Sequence, residues 1–315
     1  MISRFGLSLA LVVMGAGWGL TQPLTKIAVS SGYGHFGLIF WQMTLGALLT
    51  GGLLAARGTL PRLTRERLPI VILVAALGTL LPNTTSYQAA FHLPSGVMSI
   101  IIATVPMFAF PVALMLGIDR FSMRRLAGLA IGLAGVALIA LPRGSLPDPA
   151  MLAWIPVALV APLCYALEGN AVNRMGTAGL SAVGLLCLAS ILGAAVALPL
   201  ALASGHWIAP AGLLTREGQA LMASGVVHVA VYAGYIWLVG RAGAVFAGQV
   251  AYLVTGFGVI WAMVLLGESY SGWVWAALAA MLLGLTLVRP RQVEKPVDAL
   301  PPSDDTGPAA GAGQT

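Results

Sequence analysis

The chain is divided into apolar runs, each about as long as a bilayer is thick, and nothing else in it constrains the fold so strongly. A spanning helix needs ~20 mostly apolar residues. Runs of that kind lie near 5–28, 36–56, 68–90, 96–117, 125–141, 152–173, 180–203, 219–239, 243–266 and 271–289. The breaks between them are short, as packed antiparallel helices allow. Hydrophobic residues make up 59% of the chain and charged residues 8%. So little charge cannot cover a water-facing surface of this size. The lipid bilayer is therefore the expected solvent and partner, and the expected fold class is an all-α membrane protein of ten transmembrane helices.

A formal net charge of +6 raises the question of nucleic acid. The basic residues answer it: they sit singly or in small groups in the breaks and form no basic run, so no nucleic-acid partner is expected. Cys164 and Cys187 both lie inside apolar stretches and read as buried free thiols, with no zinc-like spacing. The first run follows Arg4 as a signal peptide would, but it continues too far and holds Trp18 and Pro23. It is read as a retained first helix. The third run carries Pro82, Asn83, Thr84, Thr85, Ser86, Tyr87 and Gln88 in its second half. That polar density requires an interior or wet surroundings.

The charges orient the bundle. With the N-terminus inside, the inner segments hold Arg4, Arg57, Arg62, Arg65, Arg67, Arg120, Arg124, Arg125, Arg174, Arg241, Arg289, Arg291 and Lys295, thirteen of sixteen basic residues. Only Lys26, Arg143 and Arg216 fall toward the outside. The positive-inside rule then puts both termini in the cytoplasm, as a multi-pass protein of the inner (plasma) membrane. Two inner termini require an even number of spans, which ten satisfies. After Arg291 the chain turns polar, and 292–315 is expected to be a disordered cytoplasmic tail.

The sequence also repeats itself weakly, at an offset of about 148 residues. Asp119-Arg120-Phe121-Ser122 follows the fourth run, and Glu268-Ser269-Tyr270-Ser271 follows the ninth. A glycine comes sixteen residues after each acid, at Gly135 and Gly284. Leu141-Pro142-Arg143 parallels Arg289-Pro290-Arg291, Tyr87 parallels Tyr235, and Trp18-Gly19 parallels Tyr165-Ala166. The two copies are 1–143 and 150–291, five helices each. An odd number of spans inverts the second copy relative to the first. Inverted repeats are typical of transporters that alternate access around a mid-membrane site.

Several of these residues together resemble a known family. Gly15-Ala16-Gly17-Trp18-Gly19 with Pro23 and Lys26, Tyr87-Gln88-Ala89-Ala90 followed by Ser95-Gly96, Thr104-Val105-Pro106, the stretch Leu126–Leu141 and the acid-led turns at Asp119 and Glu268 resemble the drug/metabolite transporter superfamily, in its ten-span EamA-type group. The family pattern usually has Glu where this chain has Asp119, and the second copy has Thr255 where the first has Pro106. The resemblance implies a ten-helix bundle that moves small metabolites, often amino acids or related compounds.

Polar and aromatic residues at depth are the site candidates. Asn83 and Tyr87, spaced i, i+4, share a face of the third span. Asn83 lies ~22 Å along it. They either bond between helices or line a wet cavity. His228, Tyr232 and Tyr235 form one stripe on the eighth span, where rings stack on a solute or simply pack. His228 is also a proton-carrying candidate. Gln249, Tyr252 and Gly256 share a face of the ninth span, and Trp18 lies near mid-depth. Glu168, an acid well inside a span, is expected to carry a coupling proton or meet a substrate amine, unless it lies at the inner interface. Lys26 is the other coupling candidate. At ~32 Å along the first span, against ~8 Å from the inner face for Glu168, it is not expected to pair with Glu168 and is expected to snorkel outward. Pro106 and Pro111 are expected to kink the fourth span. Gly128, Gly132 and Gly135 give the fifth span a small-residue face for packing within the monomer or in a homodimer. Asp119 and Glu268 are expected to cap helix starts.

The histidines His35, His92, His206 and His228 are scattered, and no metal, nucleophile or phosphate-binding pattern appears. No cofactor, metal or catalytic residue is expected. The expected function is secondary transport of a small, amino-acid-like metabolite, in the direction of export. An integral membrane enzyme or a non-transporting membrane protein is the alternative.

Overall fold

The computed structural model describes residues 4–141, 144–242 and 244–288. The tail expected at 292–315 lies outside them, as do Arg143, Arg289, Arg291 and Lys295. Ten apolar helices follow one another: α1 (Arg4–Val29), α2 (His35–Ala56), α3 (Leu68–His92), α4 (Ser95–Met115), α5 (Met123–Ala140), α6 (Trp154–Met175), α7 (Ala182–Ala203), α8 (Arg216–Ala242), α9 (Val250–Leu266) and α10 (Gly272–Leu287). No strand occurs among the described residues. The first eight are long and apolar enough to cross a bilayer; α9 and α10 are apolar but shorter, at 17 and 16 residues.

Where the helices depart from regularity, a local cause is visible. The ninth span, expected from 243, is interrupted by a turn at Gly248 and Gln249 after a one-turn helix at Ala244–Ala247. Gln249 is therefore the cap residue of α9 rather than a residue within it. At its far end α9 stops at Gly267, whose left-handed conformation returns its N–H to Met263. In α3, Pro82 has no N–H to give, and Ala76–Leu80 widens into a π-turn in which the Leu81 N–H reaches the Ala76 carbonyl. The polar half of α3 satisfies much of itself: the Thr84 hydroxyl bonds to the Leu80 carbonyl, that of Thr85 to Leu81, and the Gln88 amide to Thr84. In α4 the helix breaks at Ala103 and Thr104, just ahead of Pro106, while Pro111 sits inside an unbroken second half.

The tightest packing crosses between the halves α1–α5 and α6–α10, and exchanging the halves leaves its pattern unchanged. Helix α1 packs on α8 as α6 packs on α3; α1 on α9 as α6 on α4; α2 on α8 as α7 on α3. Helices α2, α4 and α5 each pack on their own counterparts, α7, α9 and α10. The fold is thus two inverted five-helix repeats interleaved into one bundle. Glycines bring the backbones close: a Cβ at Gly284 would meet the Gly128 carbonyl at 2.8 Å, and one at Gly19 would meet the Gly258 nitrogen at 2.8 Å. The small-residue face of α5, with Gly128, Gly132 and Gly135, is therefore used inside the chain, against α10 and Met107.

The core is not evenly distributed. One large cluster gathers the helices at the end where α1 finishes, with Val29, Leu38, Leu93, Ile100 and Val274, and continues along α4, α5 and α10 through Met107, Ile139 and Met281. At the opposite end two smaller clusters stand apart. One joins α3 to α7 through Ile70, Val71, Val74, Leu185 and Leu188; the other joins α1, α8 and α9 through Leu11, Met14, Leu238 and Val250. The outside carries large exposed apolar side chains, such as Leu48, Met115 and Val264, as a lipid-facing surface should.

Because its Cβ would strike backbone, Gly284→Ala is expected to cost about 1–3 kcal/mol by overpacking and to lower the thermal midpoint of the detergent-purified protein. Gly52→Ala, which meets nothing within 4 Å, is the control and should not lower it.

Candidate functional site

Two groups of polar residues occupy the bundle. The first lies midway along the helices, where α1 meets α8 and α6 meets α3. The Trp18 indole N–H donates to His228 Nδ1 at 3.3 Å. His228 therefore accepts at Nδ1, which leaves its proton on Nε2. The rings of Trp18 and Tyr235 are 5.5 Å apart, and His228 and Tyr232 lie nearly parallel at 6.3 Å. The stripe seen in the sequence of α8 thus meets Trp18 of α1. Glu168 of α6 reaches the π-turn of α3: a Cβ on Gly78 would lie 2.7 Å from its Oε1. Tyr165 and Tyr232 are within electrostatic reach of its carboxylate. Gly78 stands ~15 Å along α3 from Leu68, so the carboxylate sits deeper than counting along α6 alone suggests. Side chains lean toward the N-terminus of their helix, which for α6 points away from the Met175 end.

Asn83 and Tyr87 belong to a separate arrangement. Gln42 of α2 accepts the Asn83 amide at 2.9 Å and the Tyr87 hydroxyl at 2.6 Å. Tyr87 is buried. These two residues tie α3 to α2 rather than meeting the Trp18 group. Tyr252 of α9 is partly buried against the large cluster. Gln249 stands in the turn before α9, away from the positions expected of it.

The second group closes the end of the bundle where α1 finishes. Lys26 does not extend away from the protein. Its ammonium donates to the carbonyls of Ala90, Phe91 and Leu93, at 2.7, 2.9 and 3.0 Å. These belong to the last turn of α3 and the link to α4. On the other side of that link the Glu268 carboxylate accepts the N–H groups of Ser95 and Gly96, at 2.8 and 3.2 Å. Glu268 thus caps α4, in the other half of the chain, and not the helix that follows it. The Tyr270 hydroxyl donates to Glu268 at 2.5 Å and accepts from the Gly96 N–H at 3.1 Å. Burial and the adjoining carboxylate raise the Tyr270 phenol well above its ordinary range. The repeat counterparts behave differently. Asp119 pairs with Arg125, and Arg174 donates to the Leu116 carbonyl.

Sequence reasoning missed Gln42, Gly78 and the Glu268–α4 cap. A glutamine inside an apolar run was the available signal for the first, and Pro82 four residues on from Gly78 for the second. Among the described residues no cluster of His, Cys, Asp or Glu could hold a metal ion.

Comparison with known proteins agrees with this architecture. The EamA-like transporter family matches the chain twice, over residues 4–141 and 152–289. The chain belongs to the EamA-like transporter family. One relative is the probable terminal-alkyne amino-acid exporter of Streptantibioticus cattleyicolor, 27% identical over 262 residues, covering 82% of this chain and 85% of that protein. A solved crystal structure superposes with a TM-score of 0.58 over 91% of this chain and 98% of its own, at 20% identity, and shares the fold. The EamA-like match falls once on each of the interleaved halves.

Gln42→Leu removes the shared acceptor of Asn83 and Tyr87, and the buried Tyr87 hydroxyl loses its partner. Thermal unfolding should show a loss of about 1–3 kcal/mol, whereas adding Tyr87→Phe, which removes the stranded hydroxyl, should recover part of it.

Proposed function

We propose that this protein is a secondary transporter of the inner membrane that exports a small, amino-acid-like metabolite by alternating access. One observation carries the reading. The large core cluster gathers the helices at the Lys26 end, whereas at the other end the α3–α7 cluster and the α1–α8–α9 cluster stand apart; Trp18 and Tyr235 pack on the second of these, and Glu168 reaches α3. Such a bundle is shut on one side of a mid-membrane site and parted on the other. The positive-inside rule makes the Lys26 end the outer one, so the conformation opens toward the cytoplasm, ready to load an exported solute. Inverted repeats give the complementary state by exchanging the roles of the two halves. The exporter named among the relatives supports an amino-acid-like cargo.

Aromatic faces and amide or hydroxyl groups would hold the cargo. His228 is the proton-carrying candidate. A proton at Nδ1 would turn that atom from acceptor to donor and break its bond with Trp18, so charge state and packing are linked there. Lys26, saturated by three carbonyls, serves closure rather than coupling.

Purified protein in proteoliposomes, assayed against a panel of labelled metabolites, tests the reading: flux of at least one amino-acid-like solute is expected, and no flux of any solute would overturn it. Closure has its own test. In a cysteine-free background carrying Tyr235→Cys, an impermeant thiol reagent should label from the cytoplasmic side. Adding Lys26→Met or Glu268→Gln should raise labelling from the outer side several-fold. Equal outer labelling with and without these changes would remove the outer gate from the scheme.

A further inference from the structure

We infer that Glu168 and the π-turn of α3 form a subsite for the ammonium group of the transported solute, an inference that rests on the transporter reading above. The Glu168 carboxylate lies inside a span and makes no hydrogen bond or ion pair among the described residues, where the one ion pair is Arg125–Asp119. A carboxylate inside a span and left unpaired is costly, and a cationic partner lowers the cost. Its oxygens press on a position without a side chain: a Cβ at Gly78 would come within 2.7 Å of Oε1 and 3.0 Å of Oε2. The backbone there is also irregular. In a regular helix the Leu77 and Gly78 carbonyls would take the N–H groups of Leu81 and Pro82. The Leu81 N–H goes instead to Ala76, and Pro82 has none. The regular ladder is therefore interrupted beside the glycine on which the carboxylate rests.

The chemistry required is a compact cation with several donors. A primary ammonium offers three N–H groups, enough to bond both oxygens of the carboxylate. A quaternary ammonium has the charge without the donors and fits less well. A carboxylate-only solute meets acceptors alone and is repelled. At ~15 Å along α3, about half of a ~30 Å hydrocarbon core, the subsite is at the depth where the two halves of an inverted repeat share a ligand.

The test uses the full chain, with the common L-amino acids, the amines obtained by removing their carboxylates, and the acids obtained by removing their amino groups. Flux is read in proteoliposomes, and ligand stabilisation by thermal shift in detergent. Ammonium-bearing compounds should be transported or should stabilise the protein, and the acids should do neither. Glu168→Gln should raise the half-saturating concentration at least tenfold. Gly78→Ala, which crowds the subsite without altering its charge, should do the same. Neither variant should lower the thermal midpoint without ligand, and Glu168→Gln, which removes an unpaired charge, should raise it if anything. Acids that bind as tightly as their parent amino acids would overturn the subsite. So would a Glu168→Gln protein with unchanged half-saturation and a flattened pH profile, which would make Glu168 a proton carrier. If nothing is transported, the transporter reading fails, and the subsite is judged separately. Amines that stabilise the wild type but not Glu168→Gln uphold it; amines that stabilise neither, or both equally, overturn it.

Discussion

The link between α3 and α4 places the end of one helix beside the start of the next, and each terminus leaves backbone groups without partners in its own helix. Two side chains resolve this. The Lys26 ammonium supplies donors to the last carbonyls of α3, and the Glu268 carboxylate accepts from the first amides of α4. Each charge also has the sign that its helix terminus favours. The two charges face one turn from opposite sides and reinforce its position without touching. Through them α1, α3, α4 and the α9–α10 link converge at one end, and the large apolar cluster forms around that convergence.

The mid-membrane group shows what a duplicated architecture permits. Equivalent positions in the two halves have taken different chemistry. Tyr87 on α3 is held by Gln42 and fastens two helices together, while its counterpart Tyr235 on α8 presents its ring to Trp18. Glu268 clasps a helix of the opposite half, while its counterpart Asp119 pairs with nearby Arg125. The two-fold relation therefore holds for helices and packing but not for side-chain bonding.

Much of the fold was legible in the sequence, because lipid imposes a simple rule: backbone groups must be satisfied within a helix of sufficient length. The ten runs, the repeat and the stripe on α8 all follow from spacing along one chain. What spacing does not reveal is which helices meet. Gln42 looked like an isolated polar residue until α3 brought two donors to it. Lys26 read as a snorkelling side chain, because the carbonyls it binds are more than sixty residues away in sequence. Glu268 was legible as a cap but not as the cap of α4. Gln249 fell at a break rather than on the face of α9 because a turn at Gly248 is a local choice that apolar periodicity does not register.

The interleaving of the halves also bears on how the chain is made. Helix α1 packs chiefly on α8 and α9, and α2 on α7, so the first five helices enter the bilayer before their principal partners exist. During synthesis Gly15, Gly17 and Gly19 face lipid or transient neighbours, and neither half is a self-sufficient folding unit. The most extensive contacts form only when the second half arrives, with a long loop-closure step ahead of them. A nascent chain of this kind depends on the insertion machinery, or on loose early contacts among α1 to α5, to hold it until the last helix is in place.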